Sequence, residues 1–210
     1  MGIYGLVLSE SLPKEEFCLA CYEAYDEMLM ADLRADLDSV EAACVWIEGY
    51  FQNEGCFASV ADELKERVSL PAVLPDVTTG RTPVAVHVRI AGRLHSAAHV
   101  VCSPKYFAIA MSAMRDRIAN PVFLIFSDDM EGCRNYVEDG DDVIFMPAAN
   151  ELETQALMQH CNAFILANSA FSWWPAWLSG STNVICPSQF FKDRKCNIFP
   201  DRWLRISPVG

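Results

Sequence analysis

Three short polar clusters hold the residues best suited to chemistry: His87-Val88-Arg89, Ser127-Asp128-Asp129 and Asn168-Ser169-Ala170-Phe171-Ser172. Arginine offers a planar fork of donors that matches phosphate oxygens. A serine-rich segment at the start of a helix offers hydroxyls and free backbone amides to a second anionic oxygen. A carboxylate accepts hydrogen bonds from the amino and imino edge of a guanine. Together these groups suit a nucleoside diphosphate, and arginine plus a helix end can neutralise its charge without a metal. Each cluster also has a plainer reading. His87 can be an ordinary satisfied histidine at a strand end. Asp128 and Asp129 can be a turn and a helix cap. Trp173 and Trp174 read as packing residues under either view.

The surrounding elements decide whether the clusters meet. Val84–Val86, Val122–Phe126, Val143–Phe145, Ala163–Leu166 and Asn183–Cys186 are short apolar runs of the kind buried on both faces of a parallel sheet. Between them lie helical segments. Ser103-Pro104 reads as an N-cap with proline at the first helical position, leading a helix to Ile118. Further helices are expected from Glu131, over Glu151–His160 and from Trp173. Alternating strands and helices predict a Rossmann-like α/β domain over residues 83–210. Ligands of such sheets sit beyond the carboxyl ends of the strands, where all three clusters fall. Before it, residues 1–82 read as a smaller α/β segment and linker. It comprises an amphipathic helix over Pro13–Leu37, a strand over Ala43–Ile47, a helix over Phe57–Val68 and a proline-containing connection.

Composition narrows the function classes. The net charge of −12 and the lack of any basic run exclude a general nucleic-acid binder. Nine scattered cysteines, with Cys18 and Cys21 as the one C-x-x-C, give no second pair at zinc-ligand spacing. His95, His99 and His160 show no ligand spacing either. So many thiols favour a reducing, cytoplasmic compartment. No apolar run approaches the ~20 residues of a membrane span, which leaves peripheral attachment as the membrane mode open to the chain. Met1–Ser9 lacks the basic start of a signal peptide.

Residues Asn168–Leu178, NSAFSWWPAWL, resemble the N-S-S-F-S-W-W-G-A-W-L pattern of the α-1,2-fucosyltransferases of glycosyltransferase family 11. Phe126–Asp129 (FSDD) and Val86–Arg89, with its HVR, match two further family segments. Trp46–Phe51 (WIEGYF), continued by Gln52, is similar to the family's D-G-Y-F-Q. The order and spacing agree from residue 40 to residue 205. The resemblance implies a GT-B fold of two Rossmann-like domains, with GDP-fucose held by the C-terminal one and a galactose-containing glycan as acceptor. It implies no cofactor and no metal. Carried over by position, His87 contacts guanine or its ribose, and Arg89 binds the diphosphate and is the catalytic residue. Asp129 with Asp128 reads the guanine edge. Ser169 and Ser172 hold phosphate, and Ser127 and Asn168 complete the donor-binding set.

Two departures from the family pattern stand out. The family's glycine-rich G-G-L-G-N-Q opening has no counterpart here, which implies a shortened N-terminal domain. The motif H-x-R-R-G-D-Y reads His87-Val88-Arg89-Ile90-Ala91-Gly92-Arg93, with Ile90 in place of the second arginine and Gly92 in place of the aspartate. The expectation is that Ile90 presents apolar surface toward the diphosphate and that Ile90→Arg raises transfer. A non-catalytic GDP-sugar-binding fragment of the family is the alternative function.

Overall fold

The computed structural model describes residues 52–91, 99–192 and 198–210, together with the backbone of two strands at 17–21 and 44–48. The chain divides into two compact units, residues 1–61 with 196–200 and residues 62–195 with 201–210. Residues 62–82, read from sequence as the end of the N-terminal segment, cluster with the second unit.

In the first unit, β1 (Phe17–Cys21) pairs in parallel with β2 (Cys44–Glu48), Phe17 opposite Cys44. This corrects the helix expected over Pro13–Leu37: its segment Phe17–Cys21 is a strand, and the rest lies outside the described residues. The cause is a five-residue apolar run, FCLAC, whose spacing fits either element; only the presence of a partner strand decides between them. The C-x-x-C of Cys18 and Cys21 therefore lies on a strand, not on one helix face. The helix expected from Phe57 begins as two 3-10 turns, Glu54–Cys56 and Ala58–Val60. It becomes α1 only over Ala61–Arg67. The Asn53 side chain accepts the Gly55 N–H at 2.9 Å, which favours the tighter opening turn.

The second unit is a six-stranded parallel sheet in the order β5-β4-β3-β6-β7-β8. Its strands are β3 (Thr82–Val88), β4 (Pro121–Ser127), β5 (Val143–Phe145), β6 (Ala163–Ile165), β7 (Val184–Pro187) and β8 (Leu204–Ile206). Helix α2 (Pro104–Arg117) joins β3 to β4, α3 (Glu151–Gln159) joins β5 to β6, and α4 (Ala170–Leu178) joins β6 to β7. This is the Rossmann-like α/β fold expected of a GT-B donor domain. Pro83 is tolerated inside central β3 because pairing with β6 starts only at Val84. β8 was not foreseen. It is a three-residue edge strand with Leu204 37% exposed, too short to show alternation.

Local chemistry sets the start of α2 as the sequence suggested, whereas the helix expected from Glu131 is a 3-10 turn over Gly132–Asn135 and the one expected from Trp173 begins at Ala170. Ser103 Oγ accepts the Tyr106 N–H at 3.2 Å, and Pro104 follows at the first helical position. Tyr106, Phe107, Ala110, Met111 and Met114 repeat at helical spacing and are buried against Val84, Val86, Val88, Phe123 and Ile125. Gly180, at φ 71°, follows α4 and closes it, a conformation that favours glycine. The chain runs from β3 outward through β4 to β5. It then returns to β6 on the other side of β3 and continues to β7 and β8. The reversal lies between β3 and β6, where sheets of this type form a ligand crevice.

Candidate functional site

The strand ends at this reversal bring two of the predicted clusters into contact. Along β3 the side chains alternate: Val84, Val86, Val88 and Ile90 all belong to the core cluster packed on α2. His87 and Arg89 therefore face the other way. The His87 ring lies 5.4 Å from the Phe171 ring, in the first turn of α4. The sequence reading treated Phe171 as part of a motif and gave it no role; the signal was its place in the FSWW run.

Alternation also corrects the reading of Ile90. Its side chain is 4% exposed and packs among Val88, Cys102 and Tyr106. It does not present apolar surface to a ligand beside Arg89. The expectation assumed that the chain has already turned at the strand end. Instead the two-residue period continues two positions past Val88. Gly92, Arg93 and His95 lie outside the described residues.

Arg89 is about a third exposed, and its Nη1 lies 3.1 Å from Asp128 Oδ2. Its Nε–H is buried with no acceptor among the described residues. A buried donor left without an acceptor is costly, so this guanidinium is suited to gaining an anionic partner. Asp128 also accepts the Ile90 N–H at 2.9 Å through Oδ1. The next residue closes a turn: its N–H donates to Ser127 Oγ at 3.1 Å, and its Oδ1 accepts the Gly132 N–H at 2.9 Å. A Cβ at 132 would push the Asp129 carboxylate out of this position, so glycine there lets the cap form as it stands. The turn-and-cap reading thus describes Asp129 in this state, with Oδ2 outside the cap.

At the start of α4, Ser169 is the N-cap, its Oγ accepting the Phe171 N–H at 3.2 Å. Ser172 is fully buried and its Oγ donates to Ser169 O at 3.4 Å. Asn168 is 3% exposed, and its Nδ2 donates to the carbonyls of Val100 (2.8 Å), Gln189 (3.1 Å) and Phe190 (2.9 Å). Its Oδ1 accepts the Cys102 thiol at 3.5 Å, and the Tyr106 hydroxyl donates to Leu166 O at 2.7 Å. This buried network fixes the β6–α4 turn from which the helix amides project. Trp173 is fully buried against Trp177 and Trp203, so it packs the helix.

Burial pushes the thiols of Cys102, Cys161 and Cys186 up to about 12, and Cys133 is raised for the same reason. All four are free. Protonated, buried thiols are poor nucleophiles and poor metal ligands. Among the described residues no group of three or more His, Cys, Asp or Glu could hold a metal ion.

These residues gather at the switch point of a parallel sheet, and comparison with known proteins gives the chain a family. The sequence profile of Glycosyl transferase family 11 matches residues 7–206. The chain belongs to this family. An alpha-1,2-colitosyltransferase of Escherichia coli is 29% identical over 92% of this chain and 71% of its own length. A galactoside alpha-(1,2)-fucosyltransferase 1 of Leontocebus fuscicollis is 35% identical over 50% of this chain and 31% of its own length. One from Bos taurus, a galactoside alpha-(1,2)-fucosyltransferase 2, is 31% identical over 49% and 32%. The chain thus covers about a third of the length of these mammalian relatives. No solved structure matches the chain. As a member of the family it is a glycosyltransferase. No helix among the described residues is long and apolar enough to cross a membrane.

Proposed function

We propose that this glycosyltransferase binds GDP-fucose at the β3/β6 switch point and transfers fucose to a galactoside hydroxyl in α-1,2 linkage. The observation that carries the reading is the contact of His87 with Phe171 in the first turn of α4, two residues before an arginine whose Nε–H is buried without an acceptor among the described residues. The diphosphate lies between Arg89 and the α4 N-terminus, where guanidinium and helix dipole both oppose its charge. His87 borders the nucleoside. Asp129, whose Oδ2 lies outside its cap, accepts from the guanine edge. Ser127, Asn168, Ser169 and Ser172 shape the loops around the donor, with Ser169 nearest the helix amides.

In the transfer step the acceptor hydroxyl oxygen forms a bond to the anomeric carbon as the bond to the diphosphate oxygen breaks. The electron pair leaves with GDP, and the proton of the acceptor hydroxyl passes to solvent. Arg89 and the α4 amides stabilise that developing charge, an interaction worth most in the transition state. The four buried free thiols suit a reducing, cytoplasmic compartment, with peripheral attachment to a membrane bearing the acceptor.

Calorimetric titration with GDP, UDP and ADP tests the donor site, with GDP expected to bind most tightly and EDTA to change nothing. Equal or absent binding of all three would remove the guanine reading. Turnover of GDP-fucose with and without lactose then tests transfer. Binding without turnover would favour a non-catalytic GDP-sugar binder. A colitosyl donor belongs in the same assay, because the relative matched along most of this chain is named for colitose.

A further inference from the structure

We infer that Asp128 is a positioning residue that holds Arg89 in place for the donor diphosphate and does not read the guanine base. The inference rests on the proposed role of Arg89. Sheet register supplies its first ground. Val88 pairs with Ser127 across the parallel β3–β4 ladder, so one step beyond the strands Asp128 stands level with Arg89. Both carboxylate oxygens are then engaged. Oδ1 accepts the Ile90 N–H at 2.9 Å and Oδ2 faces Arg89 Nη1 at 3.1 Å. Ile90 is itself anchored in the core. One carboxylate thus holds the backbone just past Arg89 and the guanidinium as well, so each of its oxygens is already committed to a donor within the protein.

The energetic logic is preorganisation. A free arginine loses considerable rotamer freedom when it docks on a ligand. Holding it beforehand lowers that cost. The Asp128 side chain is 17% exposed, shielded enough to keep one geometry. Its negative charge by itself works against a diphosphate a few ångströms further on. The two effects have opposite signs, so a single substitution separates them.

Asp128→Asn is nearly isosteric and keeps an acceptor for the Ile90 N–H, but its amide cannot accept from Arg89. If Asp128 positions Arg89, GDP binding weakens on the order of three- to tenfold. Inosine diphosphate, which lacks the exocyclic amino group, weakens by the same factor, so discrimination between the two bases is unchanged. In an Arg89→Ala background Asp128→Asn no longer weakens GDP binding, and loss of the negative charge leaves it equal or slightly tighter, the coupling expected of residues acting as one unit. A purely structural role would instead lower affinity equally in both backgrounds. The inference is overturned if Asp128→Asn tightens GDP binding in the parent chain, if it erases the preference for GDP over inosine diphosphate, or if the weakening persists without Arg89. Failure of the parent chain to bind GDP at all would sink the donor-site reading first, and this assignment with it.

Discussion

Ile90→Arg restores the second arginine of the family motif, and the structure predicts that it harms the protein. Ile90 is 4% exposed in the cluster that joins β3 to α2. Replacing it removes an apolar side chain whose burial contributes about 2 kcal/mol. A guanidinium kept in that pocket without a partner adds several kcal/mol of desolvation. Turning it outward spares the charge but rotates the backbone and strains the Ile90 N–H bond to Asp128. Either route costs about 4 kcal/mol or more, against a total stability of roughly 5–15 kcal/mol for a domain. For a chain of this size that lowers Tm by about 10 °C or more. Ile90→Leu is the control and should cost less than about 1.5 kcal/mol. The assay is thermal unfolding of the parent and both variants beside turnover of GDP-fucose. The reasoning is refuted if Ile90→Arg melts with the parent and turns over donor faster. That result would mean that position 90 can face the diphosphate after all.

Arg89→Ala should weaken GDP binding on the order of tenfold by calorimetry, and more than Arg93→Ala does; the reverse order would move the phosphate contact to Arg93. Asn168→Ala removes the side-chain donor from the carbonyls of Val100 and Gln189, while Phe190 O keeps the Val100 N–H, so it should destabilise by about 2 kcal/mol in denaturant unfolding, and an unchanged midpoint would show that water replaces the amide. Cys102, Cys161 and Cys186 should resist iodoacetamide in the native protein and react on unfolding, as read by mass spectrometry. Their thiols are raised from 9.0 to about 12, so the folded state keeps them neutral. This contribution to stability is complete below pH 9 and is lost as pH rises from 9 toward 12. Alkaline stability that stays flat across that window would contradict the burial of these groups.

Much of the second unit was legible in the chain itself. Apolar runs such as Val122–Phe126 and the Ser103-Pro104 cap dictate local dihedrals, and a sequence states local dihedrals directly. Strand ends, their polar clusters and the family segments could therefore be read without coordinates. Tertiary structure alone decided which clusters meet. His87 touches Phe171 because β6 returns beside β3, and Asp128 stands beside Arg89 because β4 is the other neighbour of β3. Neither adjacency follows from chain spacing, since crossovers set strand order. The same holds for Phe17–Cys21, where an apolar run became a strand through its pairing with Cys44–Glu48. Ile90 shows the limit most sharply. Its residue type was plain, but the side it faces depends on how far the β3 pleat persists, and packing against α2 carries that pleat past the last paired residue.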